Sequence, residues 1–240
     1  MHISIKTVKS ILTRSKVYDY VINPYVGCEH GCTYCYARFI KKFTGHKEPW
    51  GEFVDVKINA PELLEKEIMK RKKGDIWISG ICDPYQPLEK DYKITRKCLE
   101  ILSKYDWHIF IQTKSPLVLR DLDLIKRFQQ IDVGFSIGTA SEEVKMIFEP
   151  RAPSISLRIE ALGILRAEGI KTYAMIAPTL PEAEGLVELL TNKVDYIIID
   201  RMNYHYADWV YKKFGFRKVQ DLELLSERFR DLGIQCEIVS

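Results

Sequence analysis

The sequence predicts an α/β fold, a partial (βα)6 barrel of the TIM type with a parallel sheet. Three observations indicate it: short apolar β-type runs alternate with helical patterns, the helices repeat apolar residues every 3.6 positions, and polar residues follow the apolar runs. Alternation of this kind is typical of βαβ units around a parallel sheet. About six such units fit the chain, fewer than the eight that close a barrel.

Six strands are predicted from the apolar runs, and each is followed by a polar or glycine-bearing segment. The strands fall at residues 18–22, 75–81, 107–114, 133–139, 171–177 and 196–200, with a short closing strand at 235–239. Barrels of this type carry their chemistry at the carboxyl ends of the strands. The segments after these strands are therefore the candidate site, although Ser115 and Ser141 are better explained as helix caps.

Helical patterns fill the intervals between the strands. They cover residues 36–43, 61–73, 94–105, 117–130, 182–192 and 222–232, and two more helical stretches are separated at Pro150 and Pro153. The second of these two is predicted to start at a Ser154 cap and to end at Gly169. Because no linker or low-complexity segment interrupts the pattern, we expect one domain over residues 1–240, with a core at about 18–202 and helices plus the closing strand at 203–240.

Composition narrows the functional class. The net charge of +3 is too small to indicate a polyanionic partner by itself, and six cysteines in 240 residues do not resemble a secreted disulfide framework. The N-terminus lacks the apolar core of a signal peptide, and no apolar stretch reaches the roughly 18 residues of a membrane span. The sequence predicts a cytoplasmic protein without a membrane partner.

The most informative motif is C-x3-C-x2-C, formed by Cys28, Cys32 and Cys35. A cluster of four irons normally takes one thiolate for each iron, so three thiolates leave one iron open. An open metal position is where a substrate or cofactor binds. Two alternatives remain: a zinc site, although no second C-x2-C pair is present, and buried structural cysteines, although the loop is polar. His30 is a further candidate ligand with little room to fold back.

The three cysteines and the aromatic Tyr34 resemble the radical S-adenosylmethionine (radical SAM) superfamily. Further segments, in chain order, resemble spore photoproduct lyase and the DNA repair photolyase-like group. They are Cys32-Thr33-Tyr34-Cys35-Tyr36, Asp83-Pro84-Tyr85-Gln86-Pro87, Thr113-Lys114, Phe135-Ser136-Ile137, Phe148-Glu149-Pro150, Arg158-Ile159-Glu160-Ala161 and Ala177-Pro178. The resemblance covers roughly residues 23–180.

The resemblance implies two cofactors: a [4Fe–4S] cluster on Cys28, Cys32 and Cys35, and S-adenosylmethionine (SAM) on the open iron. It also implies a lyase-like enzyme that cleaves SAM reductively to a 5′-deoxyadenosyl radical, which then abstracts hydrogen from a substrate. The electron would come from an external one-electron reductant of the ferredoxin or flavodoxin type.

The resemblance also implies the residues that bind SAM. Lys114 matches the lysine that pairs with the SAM carboxylate, and Ser136 and Gly138 match the strand end near the bound SAM. The turn from Ser79 and Gly80 to Asp83 occupies the place that holds the SAM amino group, through Asp83 or a backbone carbonyl. Arg158 either has a role at this site or packs structurally with Glu160.

Two residues are candidate catalytic groups. Cys82 lies two positions after the place of the hydrogen-donating cysteine in the lyase, so it either reaches the substrate or only lines the pocket. Tyr36, with Tyr34, either relays a radical or shields the cluster and stacks on adenine. The lyase is longer, with an N-terminal extension and a DNA-contacting hairpin, and we therefore do not expect thymine-dimer repair.

The substrate is predicted only as a possible nucleic acid. Basic residues at 70–73, 212–213 and 217–218 are candidates for phosphate contacts, and Tyr204, Tyr206 and Trp209 for stacking on bases. The alternative for these charges is an ordinary solvated helix face. The competing functional class is a non-catalytic iron–sulfur or SAM-binding protein that acts in redox chemistry or nucleic-acid binding.

Overall fold

The computed structural model of the chain describes residues 1–239, which form two compact units. The first unit contains residues 1–30 and 37–132, and the second contains residues 31–36 and the chain from 133 onward. The loop that carries the three cysteines, residues 27–36, is called the cysteine loop. It is divided between the units, with Cys28 in the first and Cys32 and Cys35 in the second. That the whole chain behaves as one domain stays a prediction.

The first unit contains two sheets. Its strands are β1 (His2–Lys6), β2 (Leu12–Arg14), β3 (Tyr20–Ile22), β4 (Tyr25–Val26), β5 (Phe53–Lys57), β6 (Ile76–Ile78) and β7 (Ile109–Thr113). The larger sheet has the order β2-β3-β6-β7, with β3, β6 and β7 parallel and β2 antiparallel to β3. Strands β3, β6 and β7 confirm the first three predicted strands, each shorter than predicted.

The smaller sheet was not predicted. It has the order β1-β5-β4, in which β1 runs parallel and β4 antiparallel to β5. From the sequence, the first strand is expected to lead directly into the cysteine loop; this is wrong because β4 lies between them. Tyr25 and Val26 form this strand because both side chains are buried and pair with Val56 and Asp55.

The helices of the first unit are short: α1 (Lys41–Thr44), α2 (Ala60–Ile68), α3 (Glu89–Tyr92), α4 (Ile94–Leu102) and α5 (Leu122–Ile125). Helix α2 ends five residues before its predicted end at residue 73, because the basic run that follows is exposed and offers no apolar face. The predicted helix at 117–130 is a 3₁₀ helix over Pro116–Asp121 followed by α5. Ser115 caps the 3₁₀ helix, as expected, by accepting from the Leu117 amide.

The second unit has strands β8 (Ile131–Ser136), β9 (Lys171–Ile176), β10 (Tyr196–Ile199) and β11 (Gln235–Ile238), of which β8 starts at the end of the first unit. Their order is β8-β9-β10-β11, and β9, β10 and β11 are parallel. These strands confirm the remaining three predicted strands and the closing strand.

The helices of the second unit are α6 (Glu142–Phe148), α7 (Ile155–Ala167), α8 (Leu186–Leu190), α9 (Asp208–Phe214) and α10 (Leu222–Asp231). The Ser154 cap is confirmed, since its hydroxyl accepts from the Leu157 amide at the start of α7. The predicted helix at 182–192 starts later because Glu182 has a positive φ of 62°. Within residues 1–239, no helix has the length and apolar character needed to span a bilayer.

Candidate functional site

The first half of the cysteine loop is anchored to the turn that precedes α3. The Glu29 amide donates to Gln86 Oε1 at 2.9 Å, and the Leu88 amide donates to Glu29 Oε2 at 2.6 Å. Gly27 has a φ of 87°, and a Cβ there would lie 2.2 Å from the Phe53 carbonyl oxygen. Only glycine fits this close approach. Cys28 follows it and is buried.

Asp83, in the turn after β6, is a buried carboxylate with four donors. Its Oδ1 accepts from the Tyr85 amide at 2.9 Å and the Thr113 hydroxyl at 2.6 Å. Its Oδ2 accepts from the Lys114 amide at 2.7 Å and lies 3.1 Å from His30 Nε2. Burial alone would raise the pKa of Asp83, but the charge and hydrogen bond of His30, with the other donors, lower it to about 2.

This arrangement bears on two predicted SAM ligands. Lys114 lies at the end of β7 as expected, and its backbone is fixed by Asp83 while its side chain is half-buried. The Asp83 carboxylate can accept about four hydrogen bonds, and protein donors already provide that number. Of the two predicted acceptors for the SAM amino group, the backbone carbonyls of the turn are therefore favoured.

A missed residue, Asn23, organises the turn at the end of β6. Its side-chain oxygen accepts from the Ser79 hydroxyl at 2.8 Å and from the amides of Gly80 and Ile81 at 2.9 and 3.0 Å. Because Ser79 donates its hydrogen to Asn23, the Cys82 thiol, 2.9 Å away, is the donor to the Ser79 oxygen. The Asn-Pro pair just before the cysteine loop was the available sequence signal.

Cys82 is held in its protonated form. Burial raises the pKa of the Cys82 thiol to about 11, although the hydrogen bond with Ser79 and the charge of Lys57 lower it. Lys57, at the end of β5, was not predicted as a site residue. Burial also lowers the pKa of Lys57. Ser79, Gly80 and Cys82 thus share one turn, as predicted.

The second half of the cysteine loop is anchored in the second unit. The Thr33 amide and hydroxyl both donate to the Phe148 carbonyl, at 2.9 and 3.2 Å. Cys32 and Tyr34 are buried with Phe148 and other apolar side chains, and Cys35 packs against this group from a partly buried position. The loop is therefore fixed by both its backbone and its aromatic side chain.

Tyr34 is joined to Ser136 by a buried ion pair. The Tyr34 hydroxyl donates to Glu149 Oε1, and Arg158 Nη1 lies 2.6 Å from Glu149 Oε2. The same Arg158 nitrogen donates to the Ser136 carbonyl at 3.0 Å. Burial and the charge of Glu149 raise the pKa of Tyr34 well above its usual value. Of the two alternatives for Arg158, a role at the site or structural packing with Glu160, the structure shows Arg158 paired with the buried Glu149 in place of Glu160.

Tyr36, the other aromatic candidate of the cysteine loop, stacks on Tyr204. Their ring centroids are 5.8 Å apart, and Tyr204 in turn stacks on Tyr206 at 6.1 Å. Gly138 has a structural requirement of its own, since a Cβ there would lie 2.6 Å from the Pro178 carbonyl oxygen.

Lys145, on α6, is a second residue that sequence reasoning missed. Its side chain is 4% exposed, and its ammonium contacts the Met146 sulfur at 3.7 Å. Burial and the nearby Arg158 lower the pKa of Lys145, while Glu149 and Cys32 act in the opposite direction. A buried cation beside Cys32 favours the thiolate form that binds metals.

The six cysteines all carry reduced thiols. In the part of the chain that the structure describes, no three His, Cys, Asp or Glu side chains already converge in metal-binding geometry. The loop therefore presents a suitable donor set, on an anchored backbone, without a preformed coordination sphere.

Comparison with known proteins identifies the family. Residues 22–190 match the model of the radical SAM superfamily. The chain is 42% identical over 194 residues to an uncharacterized protein of Methanocaldococcus jannaschii, covering 80% of this chain and 70% of that one. It is 26% identical over 160 residues to a radical SAM Nalpha-GlyT isomerase of Pseudomonas phage M6, covering 66% of this chain and 32% of the isomerase.

A solved structure supports the fold. Spore photoproduct lyase in complex with dinucleoside spore photoproduct aligns with a TM-score of 0.71 at 16% identity, covering 98% of this chain and 81% of the lyase. The mostly parallel α/β arrangement predicted from the sequence is confirmed, and it is similar to the partial barrels of these enzymes. The chain belongs to the radical SAM superfamily of enzymes, whose cofactors are a [4Fe–4S] cluster and S-adenosylmethionine.

Proposed function

We propose that Cys28, Cys32 and Cys35 hold the [4Fe–4S] cluster of this radical SAM enzyme. The observation that carries the proposal is the C-x3-C-x2-C run on a loop anchored by Gln86 on one side and by the Phe148 carbonyl on the other. Three reduced thiols match the ligands that such clusters take. When bound, the cluster delivers one electron that cleaves SAM to methionine and a 5′-deoxyadenosyl radical for hydrogen abstraction from a substrate.

The SAM site is assigned to the strand ends. Lys114 offers a compact positive charge for the SAM carboxylate. The carbonyls of Ser79 and Gly80 accept from the SAM ammonium, in a turn that Asn23 keeps rigid. Ser136 and Gly138 provide the wall at the end of β8. Tyr34 places its ring beside Cys35, and its hydroxyl is already bound to Glu149.

Cys82 is proposed as the hydrogen donor to the substrate radical: its S–H bond would break as a C–H bond forms on the substrate, which would leave a thiyl radical on Cys82. Such a donor must keep its S–H bond at neutral pH, and a thiol pKa of about 11 does so. Tyr36 is proposed to act with it as a radical relay, and it stands at one end of a stacked run of tyrosines. Radical SAM enzymes need an external reductant, and a ferredoxin or flavodoxin type is proposed here. A cluster on thiolates also requires a reducing compartment, and we propose the cytoplasm.

The first test is cluster assembly. Anaerobic reconstitution should give about four irons per chain and an electron paramagnetic resonance (EPR) signal after dithionite reduction. Cys32→Ala should lose this signal, whereas Cys236→Ala, a buried cysteine outside the loop, should keep it. Near-stoichiometric zinc in anaerobically purified protein, or no cluster signal from the unaltered chain, would refute the assignment.

The second test is catalysis. Reduced protein incubated with SAM should release 5′-deoxyadenosine slowly, and one of several additions (DNA, RNA or small-molecule extracts) should stimulate the release. A loaded cluster and bound SAM with no cleavage under any condition would instead establish the competing class, a non-catalytic iron–sulfur and SAM-binding protein.

We further infer that the substrate is a nucleic acid. Tyr206 ends the stack that runs from Tyr36 through Tyr204, so a base can extend that stack from Tyr206. Lys212 and Lys213 are exposed at the end of α9 in the same unit, where they can contact phosphates. The aligned lyase was solved with a dinucleoside photoproduct, which agrees with this substrate class.

This inference has its own test. Fluorescence anisotropy with single-stranded DNA and RNA should show binding that weakens steadily as salt rises. Tyr206→Ala, which removes the terminal ring of the stack, should weaken it by about 1–3 kcal/mol, the value of one stacked base, and Phe43→Ala, an exposed aromatic of the first unit, should not. No binding at low salt would end the nucleic-acid assignment without affecting that of the cluster.

A further inference from the structure

His30 lies at the centre of the cysteine loop and is only 2% exposed. One ring nitrogen, Nε2, contacts Asp83 at 3.1 Å, while the other, Nδ1, is buried and has no hydrogen-bond partner among the described residues. We propose that Nδ1 of His30 contacts the cofactor bound at the cysteine loop, and that Asp83 is the residue that positions the ring. The inference rests on the proposed cluster site.

Asp83 decides which nitrogen is available. A carboxylate only accepts hydrogen bonds, and Asp83 is held as a carboxylate by donors from Tyr85, Thr113 and Lys114. The Nε2–H bond of His30 therefore points at Asp83, and the ring cannot rotate without breaking it. Histidines that contact metal centres commonly donate the other ring N–H to a carboxylate in this way.

The burial of Nδ1 and its position between two cysteines favour the cofactor as its hydrogen-bond partner. Buried polar atoms in native proteins nearly always have a partner, so a buried nitrogen without one indicates a group yet to be bound. His30 is two residues from Cys28 and two from Cys32. The loop cannot turn the ring outward, because Glu29 is bound through its amide and its carboxylate.

Asp83 also connects this contact to the proposed SAM site. The oxygen that faces His30, Oδ2, is the one that accepts from the Lys114 amide. One carboxylate thus fixes both the ring in the cysteine loop and the backbone of the lysine assigned to the SAM carboxylate. The partner of Nδ1 is either the cluster or SAM, and both belong to the same cofactor complex.

Two variants separate the two nitrogens. His30→Gln keeps an N–H group near the position of Nε2 and removes Nδ1, while His30→Asn keeps a group near Nδ1 and removes the contact with Asp83. The measurement is the EPR spectrum of the dithionite-reduced, reconstituted protein, recorded without and with SAM. Iron and sulfide content are determined for each sample, so that loss of the cluster is not mistaken for a changed spectrum.

We expect His30→Gln to load iron like the unaltered chain and to shift the g values of the cluster. A shift in the SAM-free spectrum identifies the cluster as the partner, and a shift only in the SAM-bound spectrum identifies SAM. His30→Asn should broaden the signal and lower iron loading, since the ring position is no longer held. His205→Gln, a change at an exposed histidine, should leave both spectra unchanged.

A measurement on the unaltered sequence covers the case in which the variants fail to load. Protein labelled with ¹⁵N-histidine and reconstituted with unlabelled SAM should show a ¹⁵N coupling to the reduced cluster in pulsed EPR, in one or both states. No such coupling in either state, or a His30→Gln protein with spectra identical to the unaltered chain, overturns the inference. Failure of the unaltered chain to load any cluster overturns the proposed function instead.

Discussion

Single side-chain acceptors determine much of the geometry around the cysteine loop. Asn23 binds three donors of one turn, and Asp83 binds four donors from three segments. The sequence marked Asp83 as polar and well placed but could not show that other residues already saturate its oxygens. Hydrogen-bond saturation depends on side chains distant in sequence, so a residue type and its position do not reveal it.

Lys114 provides the first residue-scale prediction. Lys114→Ala should weaken SAM binding about 10- to 100-fold, because a charged hydrogen bond contributes about 1.5–3 kcal/mol. The cluster should be unaffected, since Asp83 accepts from the backbone amide of residue 114, which alanine retains. The measurement is equilibrium dialysis of SAM against reconstituted protein with its iron content determined.

Lys97→Ala, an exposed lysine on α4, is the matched control and should bind SAM normally. Loss of iron in Lys114→Ala would show that the residue belongs to the cluster site and not to the SAM site.

Cys82 provides the second residue-scale prediction. Because burial raises its pKa from 9.0 to about 11, the thiol should stay protonated and resist alkylation up to about pH 9.5. An ordinary cysteine, with a pKa near 8.5, should be alkylated readily at that pH. The folded state also holds the Cys82 proton more tightly than the unfolded state does. The free energy of unfolding should therefore fall as pH rises from 9 towards 11, where only the unfolded state loses this proton readily.

Iodoacetamide labelling of the metal-free protein, followed by peptide mapping, measures the rate at Cys82 against pH. The same reaction in urea provides the unfolded reference. Equal rates for the folded and unfolded chain at pH 8 would contradict a raised pKa, and with it the proposed role as a hydrogen donor.

At the scale of elements, the buried pair of Glu149 and Arg158 connects the cysteine loop to the end of β8 and the start of α7. Removing one partner of a buried ion pair leaves the other charge without compensation and typically costs about 3–5 kcal/mol. We therefore expect Arg158→Met to lower the free energy of unfolding of the metal-free protein by about this amount, measured by urea denaturation.

Two controls accompany this variant. The double variant Glu149→Gln/Arg158→Met should recover part of the loss, because no buried charge is then left alone. Arg166→Ala, which removes a surface pair with Asp195, should cost about 1 kcal/mol or less. A cost for Arg158→Met as small as that for Arg166→Ala would contradict the anchoring role.

The elements that could be predicted are those with local signals. The Ser154 cap and the apolar runs of β9 and β10 were predicted because their information lies within a few residues. The small sheet was missed because β1 pairs with β5, about fifty residues away, and most of its side chains are exposed. Such a strand has neither a continuous apolar run nor a nearby partner, so only its distant pairing identifies it.

At the scale of the whole molecule, the sequence predicted those residues of the candidate site that belong to recognisable motifs. The cysteines, Lys114, Ser136 and Cys82 stand out by type and spacing, and the family match over residues 22–190 agrees with them. The roles of Glu149, Lys145 and Lys57 could not be predicted, because the effect of a charge that is withdrawn from solvent depends on its surroundings and not on its neighbours in sequence.

The single-domain prediction also belongs to this scale. The chain passes between the two compact units at residues 30–31, 36–37 and 132–133, so neither unit contains the complete cysteine loop. Because each unit anchors only part of the cysteine loop, we expect the metal-free chain to unfold in one cooperative transition, which is the behaviour of a single domain.

The tryptophans allow a direct measurement. Trp50, Trp77 and Trp107 lie in the first unit and Trp209 in the second, so Trp209→Phe makes fluorescence report on the first unit alone. Trp209 is 56% exposed, and its replacement should hardly change stability. In urea, the fluorescence of this variant and its circular dichroism at 222 nm, which follows both units, should give the same midpoint. Separated midpoints would show that the units unfold independently, because two-state unfolding requires every probe to report the same transition.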